Sequence, residues 1–303
     1  MSALSGKPTG SFGCDDGISE LAINTLSTPM ETTAFVHAPQ DSGVPASARD
    51  FSVTDRVVIV TGAGQGIGRE LARQYAAAGA IPVVADLNAD NARHVVEEIK
   101  AAGGQGLAAK VDIGDRASVD AMVDSALAAY GRIDALINNA AIFATLDKRV
   151  FDQIPLQEWE RVMRINVTGV FNSVCAVAPA MRAAKWGRIV NISSDAVRLG
   201  VANYLHYVTS KSALIGMTNA MARELGPHGV TINCIRPGGV ATEVDRAVNP
   251  TLERRQQQLA QQCVPRSQVP SDLVGLIMFL TAPASAFVTG QTIACDGGLT
   301  HSS

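Results

Sequence analysis

Short apolar runs alternate with helix-length segments from residue 51 to the end of the chain, and this alternation constrains the fold more than any other feature. The first units read RVVIVTG, GRELARQYAAAGA, IPVVADL and NADNARHVVEEIKAAGG, and similar units follow without a break. Strands that are joined through helices build a parallel sheet covered on both faces. The sequence therefore predicts one doubly wound, Rossmann-type α/β domain of about seven strands over residues 51–303.

Residues 1–50 differ in composition from the rest of the chain. Serine, threonine, proline, glycine and aspartate dominate this segment, and no apolar face recurs at helix or strand spacing. Such a segment buries too little apolar surface to offset the entropy of ordering it. We expect residues 1–50 to form a flexible N-terminal extension.

Charge and cysteine content exclude several classes of function. The formal net charge is only −3, without a long run of either sign, which argues against a nucleic-acid partner or an anionic membrane surface. No apolar run reaches the roughly 20 residues of a membrane span. The five cysteines lack CxxC spacing and the five histidines are scattered, so we expect no metal site. The start of the chain lacks the pattern of a secretory signal, which favours a cytoplasmic protein.

A glycine-rich turn lies where the first strand enters its helix. The stretch TGAGQGIG fits the pattern TGxxxGxG through Gly62, Gly66 and Gly68, whereas GxGxxG fails in either frame. Glycines at such a turn let the backbone approach a pyrophosphate, and the helix N-terminus offers free N–H groups. We expect this turn, with Gln65 and Ile67 in it, to bind a dinucleotide.

An acidic residue at the end of the second strand indicates which dinucleotide binds. Asp86 occupies the position at which a carboxylate accepts both hydroxyls of an adenosine ribose, and it would repel a 2′-phosphate. The neighbouring Gln65 and Leu87 carry no charge that could hold such a phosphate. The sequence therefore predicts NAD as the cofactor, and residues 51–303 as an NAD-binding and catalytic domain.

The stretch ANYLHYVTSK contains two tyrosines, of which Tyr207 has a lysine four positions later, Lys211. A phenol has a pKa near 10 and is a poor base at neutral pH unless a cation stabilises the phenolate. A lysine at i+4 lies on the same helix face and supplies that charge. Tyr204 has Val208 at that position, so Tyr207 is the candidate base. The strand GRIVNISS presents Ser194 at its carboxyl end, where sheets of this kind bind ligands.

Together these residues resemble the short-chain dehydrogenase/reductase family. The family spacing between serine and tyrosine, counted back from Tyr207, reaches Ser194, whereas from Tyr204 it reaches Asn191. The resemblance covers nearly all of residues 55–299. It implies further cofactor contacts in the motifs NNAA, VDI and RPGGVAT, and a fourth catalytic residue in RINVTGVF. These residues are Asn139, Asp112, Ile113, Val240 and Thr242 around the cofactor, and Asn166 beside the catalytic group.

The resemblance implies a mechanism and an assembly. Tyr207 would act as general base in alcohol oxidation and as general acid in ketone reduction, while Ser194 holds the substrate oxygen. Lys211 would lower the pKa of Tyr207 and bind the nicotinamide ribose, and Asn166 would order a water that links Lys211 to solvent. The family also implies a homotetramer built on the helices that carry Asn166 and Tyr207.

The substrate is a small molecule whose identity the motifs leave open. The segments between the motifs suggest an apolar pocket, with Asp195 and Arg198 as polar candidates. The expected apolar wall consists of Ile142, Phe143, Leu199, Val201 and Val240. By analogy within the family, HYVTSK followed by VPRSQVPSDLVG is similar to dehydrogenases of secondary alcohols.

Three alternatives remain at this stage. A 3-oxoacyl thioester reductase of the same family could use Lys148 and Arg149 for an acidic carrier protein, although Asp86 disfavours NADPH. A methyltransferase also pairs a glycine turn with an acidic residue, but it does not need the spacing of Ser194, Tyr207 and Lys211. A non-catalytic NAD-binding protein would be expected to have lost one of the four catalytic residues.

Overall fold

The computed structural model describes residues 50–244 and 252–301. Its core is a sheet of seven parallel strands in the order β3-β2-β1-β4-β5-β6-β7. This confirms the predicted doubly wound fold. Apart from residue 50, the expected N-terminal extension lies outside the described residues. The strands are β1 (Val57–Thr61), β2 (Ile81–Asp86), β3 (Leu107–Lys110), β4 (Ala135–Asn138), β5 (Gly187–Ile192), β6 (Val230–Pro237) and β7 (Thr292–Cys295).

Helices cover both faces of the sheet. The alternation of side chains along β1 shows how: Val58 and Val60 enter the apolar cluster on one face of the sheet, while Val57 and Ile59 enter the cluster on the other face. Strands buried on both faces read as continuous apolar runs, which is why they were recognisable in the sequence. The helices are α1 (Gly66–Ala77), α2 (Ala89–Ala101), α3 (Arg116–Tyr130), α4 (Leu156–Met163), α5 (Gly169–Ala184), α6 (Ala196–Leu199), α7 (Leu205–Leu225), α8 (Leu252–Gln261) and α9 (Ser271–Thr281).

The segment before β5 forms two helices, although its apolar pattern runs on as if it were one. A π-helical turn, Arg164–Thr168, separates α4 from α5 and contains the buried Asn166. Such turns widen the helix locally and redirect side chains, and they are frequent at functional sites. Helix periodicity alone cannot reveal a π turn, because the residues on both sides keep an ordinary helical pattern. The short α6 and the helix α8 were also not predicted.

The direction of the strands determines where a ligand can bind. All carboxyl ends meet at one edge of the sheet, and the strand order reverses between β1 and β4. In open α/β sheets, ligands bind in the crevice at such a switch point. Within the part of the chain described here, no helix is both long and apolar enough to cross a bilayer.

Candidate active site

A cavity of about 1370 Å³ opens at the carboxyl ends of the strands. It is larger than the roughly 300–1,000 Å³ of a typical ligand pocket, and so has room for a dinucleotide together with a substrate. Most of the residues predicted from the motifs line this one cavity. They are Gly62, Gln65, Gly66, Ile67, Asp86, Asp112, Ile113, Asn139, Ser194, Tyr207, Lys211, Val240 and Thr242.

The remaining two predicted residues, Gly68 and Asn166, support the cavity wall from behind. A Cβ on Gly68 would lie 2.2 Å from the carbonyl oxygen of Gly62, so no larger residue fits where α1 meets the turn. Gly62 and Gly66 have φ values of +64° and +58°, the left-handed region that favours glycine. The side-chain amide of Asn139 donates to the carbonyl oxygen of Gly62 at 3.0 Å and fixes the turn. The turn therefore allows the protein backbone to approach a phosphate group closely.

The carboxylate of Asp86 is bonded to the glycine turn. Its Oδ2 accepts the N–H of Gly64 at 2.8 Å, and its Oδ1 accepts the N–H of Asn88 at 2.9 Å. These bonds orient the carboxylate at the cavity wall, and each oxygen keeps a lone pair for a further donor. The next residue, Leu87, is 65% exposed and places an uncharged side chain beside Asp86. The carboxylate can therefore accept a further hydrogen bond from a ligand in the cavity.

Ser194 and its neighbour Ser193 leave the end of β5 in different directions. Ser193 is buried, and its hydroxyl donates to the main-chain carbonyl of Lys211 at 2.8 Å, which joins β5 to α7. Ser194 faces the cavity, and its Oγ accepts the N–H of Ala196 at 3.2 Å. Ser193 thus holds the helix in place, while the hydroxyl of Ser194 faces the cavity and donates to Oδ1 of Asp195 at 3.3 Å.

Lys211 is buried at 3% exposure, and its Nζ donates to the carbonyl oxygen of Ile192 at 2.6 Å. Burial lowers the pKa of Lys211 from 10.5 to about 8, because the charged form loses its water. A lysine in this environment carries a poorly shielded positive charge at neutral pH. That charge lies one helical turn after Tyr207 on the same face of α7.

Tyr207 belongs to an aromatic cluster at the substrate end of the cavity. Its ring centroid lies 4.6 Å from that of Phe143, and Phe143 in turn lies 5.8 Å from Tyr204. Separations of this size are typical of stabilising aromatic pairs. Leu146 and Val162 complete the cluster beneath these rings. The sequence had placed Phe143 in the pocket, but it did not show that the rings of Phe143 and Tyr204 pack together beside Tyr207.

Asn166 uses its amide to hold a loop of the cavity wall. Oδ1 accepts the N–H of Ile142 at 2.7 Å, while Nδ2 lies 3.1 Å from the carbonyl oxygen of Ile142 and 3.0 Å from Oγ of Ser210. Ser210 bonds back to the main-chain carbonyl of Tyr207 at 2.8 Å. Asn166 therefore ties the segment after β4 to the helix that carries Tyr207. Its predicted water link to Lys211 stays a prediction.

The five apolar residues expected from the sequence all line the cavity: Ile142, Phe143, Leu199, Val201 and Val240. Of these, Ile142, Phe143 and Val201 pack against the cluster that contains Tyr207. Lys148 and Asp195 add charged groups to this wall. The guanidinium of Arg198 donates to the carbonyl oxygen of His301 at 3.4 Å. Asn88 and Asn91, which the sequence reasoning did not single out, line the other end of the cavity beside Asp86. Their position directly after the second strand was the available signal.

Comparison with known proteins identifies the class. The family described as short chain dehydrogenase matches residues 56–253. The chain therefore belongs to the short-chain dehydrogenase/reductase family, whose members are nicotinamide-dependent oxidoreductases that act on CH–OH groups. The expectation drawn from the serine, tyrosine and lysine spacing is confirmed at this level.

The proteins to which this chain is similar are named for different substrates. A hydroxy(phenyl)methylsuccinyl-CoA dehydrogenase subunit of Thauera aromatica is 37% identical over 250 residues, which cover 82% of this chain and 98% of that protein. A 3-oxoacyl-[acyl-carrier-protein] reductase of Synechocystis sp. is 37% identical over 254 residues, covering 82% and 98%. A solved 7α-hydroxysteroid dehydrogenase in complex with NADH and 7-oxo glycochenodeoxycholic acid has a TM-score of 0.77 and 35% identity, covering 82% of this chain and 95% of that one.

Proposed function

We propose that this protein is an NAD-dependent dehydrogenase of hydrophobic secondary alcohols, which also reduces the corresponding ketones. One observation carries the proposal: Ser194, Tyr207 and Lys211 line the same cavity as the glycine turn and Asp86. A single cavity can thus hold a dinucleotide and a substrate side by side.

The choice of NAD rests on the adenosine end of the cavity. A ribose with two hydroxyls can donate to the carboxylate of Asp86, whereas a 2′-phosphate would be repelled by it. The cavity residues closest to Asp86 along the chain and in the glycine turn carry no positive charge: Gln65, Leu87, Asn88 and Asn91. The guanidinium of Arg164, which also lines the cavity, is paired with Asp112 at 3.5 Å. The NADH in the complex of the related 7α-hydroxysteroid dehydrogenase is consistent with this choice.

Three residues have distinct roles in the proposed reaction. In oxidation, Tyr207 as phenolate takes the proton of the substrate hydroxyl, and in reduction it returns that proton to the carbonyl oxygen. The hydroxyl of Ser194 bonds to the same oxygen and stabilises the charge that develops there. The buried ammonium of Lys211 favours the phenolate electrostatically. The nicotinamide, when bound, supplies the acceptor or donor of the hydride.

The apolar wall beside Tyr207 favours a hydrophobic substrate. Ile142, Phe143 and Val201 pack against the cluster that contains the proposed general base, and Leu199 and Val240 add apolar surface to the same cavity. The relatives named above are dehydrogenases or reductases of a phenyl-bearing alcohol, a steroid alcohol and an oxoacyl chain, which share an oxygen-bearing carbon on an apolar skeleton. We expect the same general substrate class here.

A second candidate is the reduction of 3-oxoacyl thioesters. Lys148 lines the cavity, and the neighbouring Arg149 could bind the phosphate or acidic surface of a carrier. The Synechocystis relative carries this activity in its name. The carboxylate of Asp86 weighs against the NADPH that such reductases commonly use.

We further propose a cytoplasmic homotetramer. Apolar residues at the surface of α4, α5 and α7 support an interface: Leu156 is 64%, Phe171 48% and Leu205 43% exposed. Light scattering combined with size-exclusion chromatography measures the assembly directly. A monomeric mass would contradict the proposal.

The proposed function is tested by a substrate screen together with a matched pair of tyrosine variants. Hydrophobic secondary alcohols are offered with NAD and with NADP, and formation of NADH or NADPH is followed by absorbance. Tyr207→Phe is expected to lower turnover by about 10²- to 10⁴-fold while NADH binding, followed by fluorescence, is retained. Tyr204→Phe removes a hydroxyl from the same aromatic cluster and is expected to keep turnover. Equal losses in both variants would remove Tyr207 from its role.

A further inference from the structure

Glu243 contacts the cofactor-binding turn from the far end of the sequence. This residue follows β6, in the segment RPGGVATEV. The main-chain N–H of Gly66 donates to its Oε1 at 3.0 Å, and Nη1 of Arg69 lies 3.6 Å from the same oxygen. Val244 packs over the turn as well, since its Cγ2 would lie 3.1 Å from a Cβ on Gly66.

The position of this carboxylate coincides with the place where a dinucleotide needs hydrogen-bond donors. Gly66 begins α1, and in folds of this kind the pyrophosphate binds at the N-terminus of the helix after β1. The bond from Gly66 is the main cause that lowers the pKa of Glu243, so this carboxylate is ionised at neutral pH. The anionic side chain of Glu243 therefore accepts the hydrogen bond of an N–H group that an anionic cofactor group would use.

Glu243 can leave this position without leaving Gly66 or Arg69 unpaired. Its side chain is 54% exposed, so water can solvate the carboxylate after it moves. Arg69 has a second partner, because its Nε donates to Oε2 of Glu98 at 3.0 Å. The N–H of Gly66 would donate to the pyrophosphate in place of the carboxylate, so it has an acceptor in both states.

We propose that Glu243 is an internal competitor of the cofactor pyrophosphate, which weakens dinucleotide binding and hastens its release. When the dinucleotide binds, Glu243 leaves the N–H of Gly66; when the dinucleotide departs, Glu243 returns. The residue thus sets the affinity of the protein for its cofactor. This inference rests on the nicotinamide dinucleotide of the proposed function, and it holds for NAD and NADP alike.

Three variants of the full-length protein separate occupancy of the site from charge alone. Glu243→Ala removes the carboxylate, Glu243→Gln keeps its size without the charge, and Glu243→Asp keeps the charge on a shorter side chain. The dissociation constant of NADH is measured by fluorescence titration, and its dissociation rate by stopped-flow displacement. Because a competitor reduces affinity by the fraction of binding-competent protein, we expect Ala to tighten binding about 3- to 10-fold and to slow release. Gln is expected to tighten it less, and Asp to resemble Ala.

Two controls make the outcome specific. Glu98→Gln alters the other partner of Arg69 without touching Gly66, and is expected to leave NADH affinity within about twofold of wild type. Adenosine lacks the pyrophosphate, so its affinity is expected to be the same in wild type and in all Glu243 variants.

Distinct results would overturn the inference and the proposed function. Unchanged NADH affinity in Glu243→Ala and Glu243→Gln would overturn the inference alone. The inference would also be overturned if Ala and Gln tightened NADH binding but Asp did not. That result would mean that the negative charge at residue 243 acts at a distance and not through the bond to Gly66. Failure of the wild-type protein to bind either NADH or NADPH would instead overturn the proposed function, and the inference with it.

Discussion

Oδ1 of Asp195 lies 3.3 Å from Oγ of Ser194, so a carboxylate stands directly beside the proposed catalytic hydroxyl. Asp195 is 7% exposed, and its burial raises its pKa from 3.8 to about 6. The bond from Ser194 and the charge of Arg236 oppose this rise, while Asp296 adds to it. The protein therefore retains an ionised carboxylate at neutral pH in a place where water solvates it poorly.

This burial predicts a specific pH dependence of stability. Between pH 3.8 and about 6 the folded protein binds more protons at Asp195 than the unfolded chain, so this contribution to the free energy of unfolding falls as pH rises. Asp195→Asn abolishes the titration. From pH 4 to pH 7, the variant should gain about 2–3 kcal/mol relative to wild type. Urea unfolding at both pH values measures the difference, and a constant difference between the two proteins would contradict the prediction.

The lowered pKa of Lys211 predicts that the free energy of unfolding changes with pH in the opposite direction at alkaline pH. Its pKa is lowered from 10.5 to about 8, so between these values the unfolded chain binds more protons and stability rises with pH. Lys211→Met removes the buried charge but also the donor to Ile192. We expect a net gain of about 1–2 kcal/mol at pH 7 that shrinks toward pH 10.5, together with loss of turnover. Thermal unfolding across this range is the measurement. A variant that is less stable at pH 7 would refute it.

The amide of Asn166 predicts a loss of both stability and activity. Asn166→Ala leaves the main-chain groups of Ile142 without their partner, which costs about 1–3 kcal/mol. Because Ile142 leads into Phe143, turnover should also fall, even when it is measured at a temperature well below the melting temperature. Asn233→Ala is the matched control, since this buried asparagine also donates to a main-chain carbonyl, that of Val288 at 2.8 Å, and neither residue lines the cavity. The control should lose stability but keep turnover, and equal activity losses would argue against a specific role of Asn166.

Asp86 predicts the cofactor preference. In Asp86→Asn the repulsion of a 2′-phosphate disappears, and one acceptor of the ribose is lost with it. We expect the ratio of kcat/KM for NADP to that for NAD to rise about 10- to 100-fold. Asp90→Asn alters a nearby exposed carboxylate on α2 and should leave this ratio unchanged. A ratio that does not respond to Asp86→Asn would remove this residue from ribose recognition.

Local sequence patterns determined much of this protein. The buried strands and their connecting helices are encoded in neighbouring residues, because burial on both faces of a strand produces an uninterrupted apolar run. Fixed spacing along α7 separated Tyr207 from Tyr204, since residues four apart share a helix face. The glycine turn and Asp86 were equally visible, because each follows its own strand directly.

Only the tertiary structure decided the relationships between distant segments. The bond between Asn166 and Ile142, the packing of Phe143 on Tyr207 and the bond between Glu243 and Gly66 join residues that no periodicity connects. The burial that shifts the pKa values of Asp195 and Lys211 likewise depends on surrounding elements. Spacing along the chain fixes which side chains share a face, whereas desolvation and contact depend on what the completed fold places against that face.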